Sequence, residues 1–186
     1  MALYVYVDNS NVWLEGQRVS AVAKGMAVNI YAAMNDKITD PSWSYDFGQL
    51  YRLACPETEK LGRTALFGSR PPANDSLWTW ARTEGFEVFV HDRNRSNKEK
   101  KLDMDIGTMM VDDSWRYMHP GSDAVVLLAG DGDYIPAFDR LHARGIEVRV
   151  MFWDQCSKEL RETADQFISL NPYLDHLART IQGRDS

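Results

Sequence analysis

Two short segments far apart in the chain, residues 3–7 and Ala124–Leu128, are apolar or aromatic at every position. A strand with one wet face alternates apolar and polar residues. A strand with no alternation needs cover on both faces, the condition met in a parallel sheet with helices above and below it. Residues 63–67, 87–90 and Glu147–Phe152 read as further strands, with a short one at 166–170. Between them lie segments that read as helices: 12–23, 45–55 with Pro56 ending it, 75–84 with Asn74 or Asp75 as cap and Gly85 as stop, 102–117, 134–143 closed by Gly145, 157–163 and 172–181. Residues 28–35 are apolar and fit helix or strand, Asp40-Pro41-Ser42 marks a turn, and the polar stretch 91–101 reads as a loop. Strands alternating with helices predict an α/β fold, a three-layer sandwich around a mainly parallel central sheet. The length of 186 residues suits a single domain, placed at 1–182, with 183–186 as a flexible tail.

Composition narrows the function. The net charge is −6 and the pI about 5.2, which argues against a nucleic-acid packaging protein, whose affinity comes from Lys and Arg. It leaves room for an enzyme with clustered carboxylates and a local basic rim. No apolar run is long enough to cross a bilayer, and no basic region precedes the apolar start, so a cytoplasmic protein is expected. Cys55 and Cys156 stand alone, without partners at zinc spacing, and read as buried free thiols.

Ligands of such sheets gather outside the carboxyl ends of the strands. The first strand ends in Asp8-Asn9-Ser10-Asn11, and the fourth in Ala129-Gly130-Asp131-Gly132-Asp133; Asp103 opens the helix before that strand. If Asp8, Asp103, Asp131 and Asp133 converge, they repel one another: two carboxylates about 4 Å apart do so by roughly 4 kcal/mol at a realistic effective dielectric. A hard divalent cation, Mg2+ or Mn2+, is the natural occupant of such an oxygen-lined pocket.

The order of these pieces resembles the NYN family of PIN-like nucleases. Tyr4-Val5-Tyr6-Val7-Asp8-Asn9-Ser10-Asn11 is similar to the family's opening strand and Asp-x-x-Asn. Lys100-Lys101-Leu102-Asp103 is similar to its Lys-x-x-Asp helix opening, and Ala129-Gly130-Asp131-Gly132-Asp133-Tyr134 to its Ser-Gly-Asp-x-Asp-Phe/Tyr. Pro136, Leu141, Gly145 and Val148 follow as in the family's next helix and strand, so the likeness spans residues 3–153. It implies a PIN-like, Rossmannoid fold and hydrolysis of RNA by one or two magnesium ions. Asp8, Asp103, Asp131 and Asp133 would then hold the metal, and Asn11 would orient a ligand or the substrate phosphate. Two departures stand out: Ala129 replaces the family's Ser, and the stretch after Asn11 is long.

The basic run Arg93, Arg95, Lys98, Lys100 and Lys101 lies beside the proposed carboxylates and is the candidate phosphate-holding segment, with Arg70 a weaker one. Trp13, just after Asn11, is the candidate for stacking on a base, ahead of Trp43, Trp78 and Trp80; Trp78 or Trp80 is expected in the core. His91 is placed at a strand end within reach of substrate, and His119 in a turn. Asp105 reads equally as a group behind the metal ligands or a solvated carboxylate, and Asp112 and Asp113 as solvated. Of Asp131 and Asp133, the latter is the favoured cap of the following helix. An exposed C-terminal helix would offer a homodimer a face.

Other readings fit less well. A dehalogenase-like domain wants Asp at position 10, where Ser10 stands; a Toprim-like domain wants Glu after the first strand; the adhesion motif Asp-x-Ser-x-Ser fails at Val12; and no glycine-rich phosphate loop is present. The alternative within the same fold is a member without turnover that keeps RNA binding or a regulatory role.

Overall fold

The computed structural model describes residues 1–69, 75–91 and 98–179; of residues 98–101 it describes the backbone alone. Six strands form one sheet: β1 (Ala2–Asp8), β2 (Lys60–Ser69), β3 (Glu87–His91), β4 (Ala124–Leu128), β5 (Glu147–Phe152) and β6 (Gln166–Ser169). Their order is β3-β2-β1-β4-β5-β6, and every pairing is parallel. The unalternating strands are the central ones. Every residue of β1 and β4 is buried, with Val7 opposite Leu128. In this order the sheet winds one way from β1 to β3 and the other from β4 to β6. The crevice between β1 and β4 is therefore the topological switch point, where open α/β sheets bind their ligands.

Helices cover both faces: α1 (Asn9–Ala23), α2 (Ile30–Asn35), α3 (Phe47–Ala54), α4 (Ser76–Thr83), α5 (Lys98–Arg116), α6 (Ile135–Ala143), α7 (Lys158–Thr163) and α8 (Leu174–Leu177). In the stretch 28–35, Ile30–Asn35 forms a helix, capped by the Asn29 side chain. α1 starts directly at the strand end rather than at Val12, because the Asp8 carboxylate accepts from the Asn11 backbone N–H and caps it. The stretch expected as a loop up to Lys101 is already helical from Lys98. Lys and Glu are good helix formers, and a helix outruns its apolar face where nothing stops it.

The expected helix at 172–181 is mostly absent. A 3-10 turn, Asn171–Tyr173, leads into the four-residue α8, after which Ala178 pairs with Tyr45 as an isolated antiparallel bridge. Asp46 and Ser44 bond the backbone of Leu177 and Arg179, which holds the chain extended there, and Leu177 is fully buried. Leu177 anchors the segment in the core, while most of its other side chains stay exposed. Residues 180–182 of the expected domain and the tail at 183–186 lie outside the described residues.

Asp113 is not solvated as its sequence suggests. It follows Ile106 and Met110 at helical spacing, on the face of α5 that meets the sheet. There it accepts from the Tyr6 hydroxyl at 2.6 Å and from the Arg63 guanidinium at 2.7 and 2.8 Å. Asp112, one position earlier, is half exposed and pairs with Arg116. Trp43 and Trp78 are core residues, and Trp43 meets Trp153 edge to face at 5.7 Å between ring centres. Trp80 is partly buried, held by Phe47 and by Arg179 over its ring. Both cysteines are buried and free; burial pushes their thiols up, to about 12 for Cys55 and about 11 for Cys156.

Candidate metal centre

Three elements deliver the carboxylates. β1 hands Asp8 to the start of α1. The loop after β4 carries Asp131 and Asp133 into a 3-10 turn, Gly132–Tyr134, that runs on into α6. α5 brings Asp103 across from the other side. Asp103, Asp131 and Asp133 each present an oxygen, and these oxygens lie within 4.8 Å of one another. Among the described residues, neither Asp131 nor Asp133 has a cationic partner. Asp131, not Asp133, is the cap: its Oδ1 accepts from the Asp133 backbone N–H at 3.2 Å.

Asp8 sits behind this trio. It is buried, and the Tyr134 hydroxyl stands between it and Asp103, 3.4 Å from Asp8 Oδ2 and 3.0 Å from Asp103 Oδ1. Burial pushes the Asp8 carboxyl up to about 7, against the hydrogen bond from Asn11 and with the help of the Asp103 charge. Burial, and then the charges of both aspartates, push the Tyr134 hydroxyl far up, so it keeps its proton. One phenolic proton faces two acidic groups, and it donates better to Asp103, the nearer one.

The loop that carries Asp131 is pinned from three directions. The Gly130 N–H donates to Asn11 Oδ1 at 2.9 Å, and its carbonyl accepts from the Ser157 N–H at 2.8 Å. A side chain at Gly130 would meet Phe152 at 2.1 Å, so only glycine lets the loop pass over β5. Asn11 therefore holds the loop and the end of β1 together. Ala129 is fully buried and brings no hydroxyl, but the Ser157 hydroxyl stands against Gly132, 3.3 Å from where its Cβ would be.

The other candidates fall outside this cluster. Arg93, Arg95 and Arg70 lie outside the described residues, as do the side chains of Lys98, Lys100 and Lys101. Trp13 is 42% exposed, on α1, two positions from Asn11 and so on another side of the helix. His91, at the end of β3, pairs with Asp105 at 3.3 Å and ties the first turns of α5 to the sheet; Asp105 is half-exposed and not among the clustered oxygens. His119 bonds Asp123 in the turn before β4. The residue that sequence reasoning passed over is Tyr134. It closes the Asp-Gly-Asp motif, but as an aromatic it reads as core, and only the fold shows where its hydroxyl points.

The trio suits a hard cation. Carboxylate oxygens are the donors a hard divalent ion prefers, and three of them already meet within 4.8 Å. A raised Asp8 beside them is a group that a neighbouring cation would return to the ionised form.

Comparison with known proteins gives the same outline. The chain is 30% identical over 182 residues to "Low amplitude and bright protein LabA" of Synechococcus elongatus, covering 96% of this chain and 88% of that protein. A crystal structure of a protein of unknown function from Vibrio parahaemolyticus superposes with a TM-score of 0.67 at 17% identity, covering 96% of each chain; at that identity the likeness concerns the fold alone. The NYN domain matches residues 4–171. The chain belongs to the NYN domain family, with its PIN-like nuclease fold.

Proposed function

We propose that this protein is a metal-dependent endoribonuclease. The observation that carries the reading is the meeting of Asp103, Asp131 and Asp133 at the switch point of the sheet, with Asp8 buried behind them. Asp103, Asp131 and Asp133 would hold a divalent ion, Mg2+ or Mn2+, with Asp8 reaching it directly or through water. Bound there, such an ion lowers the pKa of a water and polarises a phosphoryl oxygen. The chain's own groups do the rest. Asn11 fixes the spacing between the ends of β1 and β4. Tyr134 keeps a proton between Asp8 and Asp103, which limits their repulsion and sets which oxygens face outward. The basic segment around Arg93 and Arg95, with Lys98 and Lys101 at the start of α5, would hold substrate phosphates beside the carboxylates. Trp13 would serve as an outlying stacking surface on α1.

The second reading is a member without turnover. Ala129, which brings no hydroxyl to the end of β4, favours it. The Ser157 hydroxyl at the same loop and the intact set of four carboxylates favour catalysis.

The test is incubation of the purified protein with labelled single-stranded RNA, structured RNA and matched DNA, in Mg2+, Mn2+ or EDTA. Asp131→Asn is the control variant: asparagine caps the 3-10 turn as well as aspartate does, so the fold is retained. Metal-dependent RNA cleavage that falls at least a hundredfold in the variant is expected. RNA binding without cleavage in any metal, unchanged by Asp131→Asn, would leave the member without turnover as the better account.

A further inference from the structure

α5 and α6 cross side by side, and between them lies a groove of about 700 Å³. That is within the range of ligand pockets. Asp103 and Asp133 form one end of it, so whatever occupies the groove lies beside the carboxylate cluster. Beyond them the walls are apolar: Met104, Val111 and Trp115 from α5, and Pro136 and Ala137 from α6. Met104 and Trp115 are eleven positions apart, about 16 Å along a helix axis. Both are exposed, Met104 by 69% and Trp115 by 68%. Trp115 is nonetheless held in place, with the Arg144 guanidinium over its ring at 3.9 Å.

We infer that this groove seats unpaired nucleobases of the substrate strand, which runs from the phosphate presented to the carboxylates towards Trp115. The inference rests on the nuclease reading above and adds a recognition element to it. Wall chemistry decides between base and backbone. Among the described residues the lining is mostly apolar and holds no Lys or Arg; Asp112 is paired with Arg116, and Asp103 and Asp133 repel a bare phosphate at the carboxylate end. Bases are neutral and flat, with apolar faces for Met104 at one end of the groove and Trp115 at the other, and amino groups that donate to Asp112 or to the Thr108 hydroxyl. An indole exposed but fixed is the surface on which bases stack. A paired base keeps its faces in the duplex stack, so the groove selects single-stranded RNA or loops.

Gly107 gives a clean probe. It lies in the groove wall, and a Cβ there would sit 3.6 Å from the Ala137 Cβ, an ordinary contact. Gly107→Ala therefore narrows the groove without a clash and raises the helix propensity of α5. A loss of binding in that variant cannot come from unfolding.

The experiment measures fluorescence anisotropy of a labelled 2′-O-methyl oligoadenylate, which resists cleavage, against the same strand with abasic residues. Wild type, Trp115→Ala and Gly107→Ala are compared. RNA cleavage, Mn2+ affinity by calorimetry and sedimentation are recorded in parallel. The wild type is expected to bind the base-containing strand about tenfold more tightly than the abasic one. Both variants are expected to lose most of that preference and keep their Mn2+ affinity. Equal binding of the two strands by the wild type, or a preference that survives in both variants, overturns the inference; intact Mn2+-dependent cleavage then leaves the nuclease reading standing. A change of oligomeric state in Trp115→Ala with the strand preference unchanged also overturns it and makes the groove a contact between copies. A wild type that neither binds Mn2+ nor cleaves RNA defeats both readings.

Discussion

Tyr134 shows how much one hydroxyl can do at a crowded acidic site. Without a cation, Asp8 and Asp103 are kept compatible by the phenolic proton between them. Tyr134→Phe keeps the ring in the core and removes only that proton. In EDTA the variant is expected to lose about 1.5–3 kcal/mol of stability, the worth of a hydrogen bond to a charged group. Saturating Mn2+, by taking over the role of the proton, should shrink the deficit. Thermal unfolding with and without the ion measures both, and an equal deficit in the two conditions would show that the hydroxyl acts only as a packing group.

Among the elements, α5 carries two faces with separate duties: Asp103 and the groove residues look outward, while Ile106, Met110 and Asp113 lie on the sheet. Asp113→Ala would strand the Tyr6 hydroxyl under the helix and leave the Arg63 guanidinium with its Glu87 ion pair alone. Because Arg63 keeps some exposure, the cost is expected near the lower end for broken buried pairs, about 2–3 kcal/mol by urea unfolding. Asp112→Ala, on the wet side, should cost little.

The same helix marks the limit of what the sequence discloses. β4 and β5 are legible to the residue, β4 as a short unbroken apolar run and β5 as an alternating Glu-Val-Arg-Val stretch that turns apolar, just after the helix stop at Gly145. Asp103, Asp131 and Asp133 are legible from motif order. Asp113 was missed because its neighbour Asp112 disguises it as surface charge, although its spacing from Met110 gave the signal. The C-terminal helix was overread, since the bridge from Ala178 to Tyr45 joins residues far apart in sequence. The groove could not be read at all: its walls come from two helices and only their packing brings them together.

For the molecule as a whole, buried carboxylates set an acid limit. At Asp40 burial is outweighed by hydrogen bonds from Lys24, Ser20 and Ser42, which hold the carboxyl well below its usual range. At Asp123 the backbone N–H groups of His119 and Ala2 likewise prevail over burial. In both, the folded pKa lies below the unfolded one, so the stability they contribute is present above about pH 4 and is lost as pH falls through the folded values. Asp8, raised to about 7, acts in the opposite sense and costs stability as pH rises above about 4; in saturating Mn2+, which removes that cost, denaturation midpoints are expected to hold near neutrality and fall below pH 4. Asp40→Asn should flatten that fall; an unchanged acid limb would place its origin elsewhere.

The order of the strands also governs how the protein comes into being on the ribosome. β1 is made first but pairs on one side with β2 and on the other with β4, whose residues emerge only after Asp123. Until then the nascent chain carries a fully apolar strand with one bare edge, the kind of surface that invites pairing with other chains. Asp131 and Asp133 are translated later still. No shorter nascent product can assemble the carboxylate cluster, so a ribosome translating this message is shielded from the chain's own proposed activity until the sheet has closed around its centre.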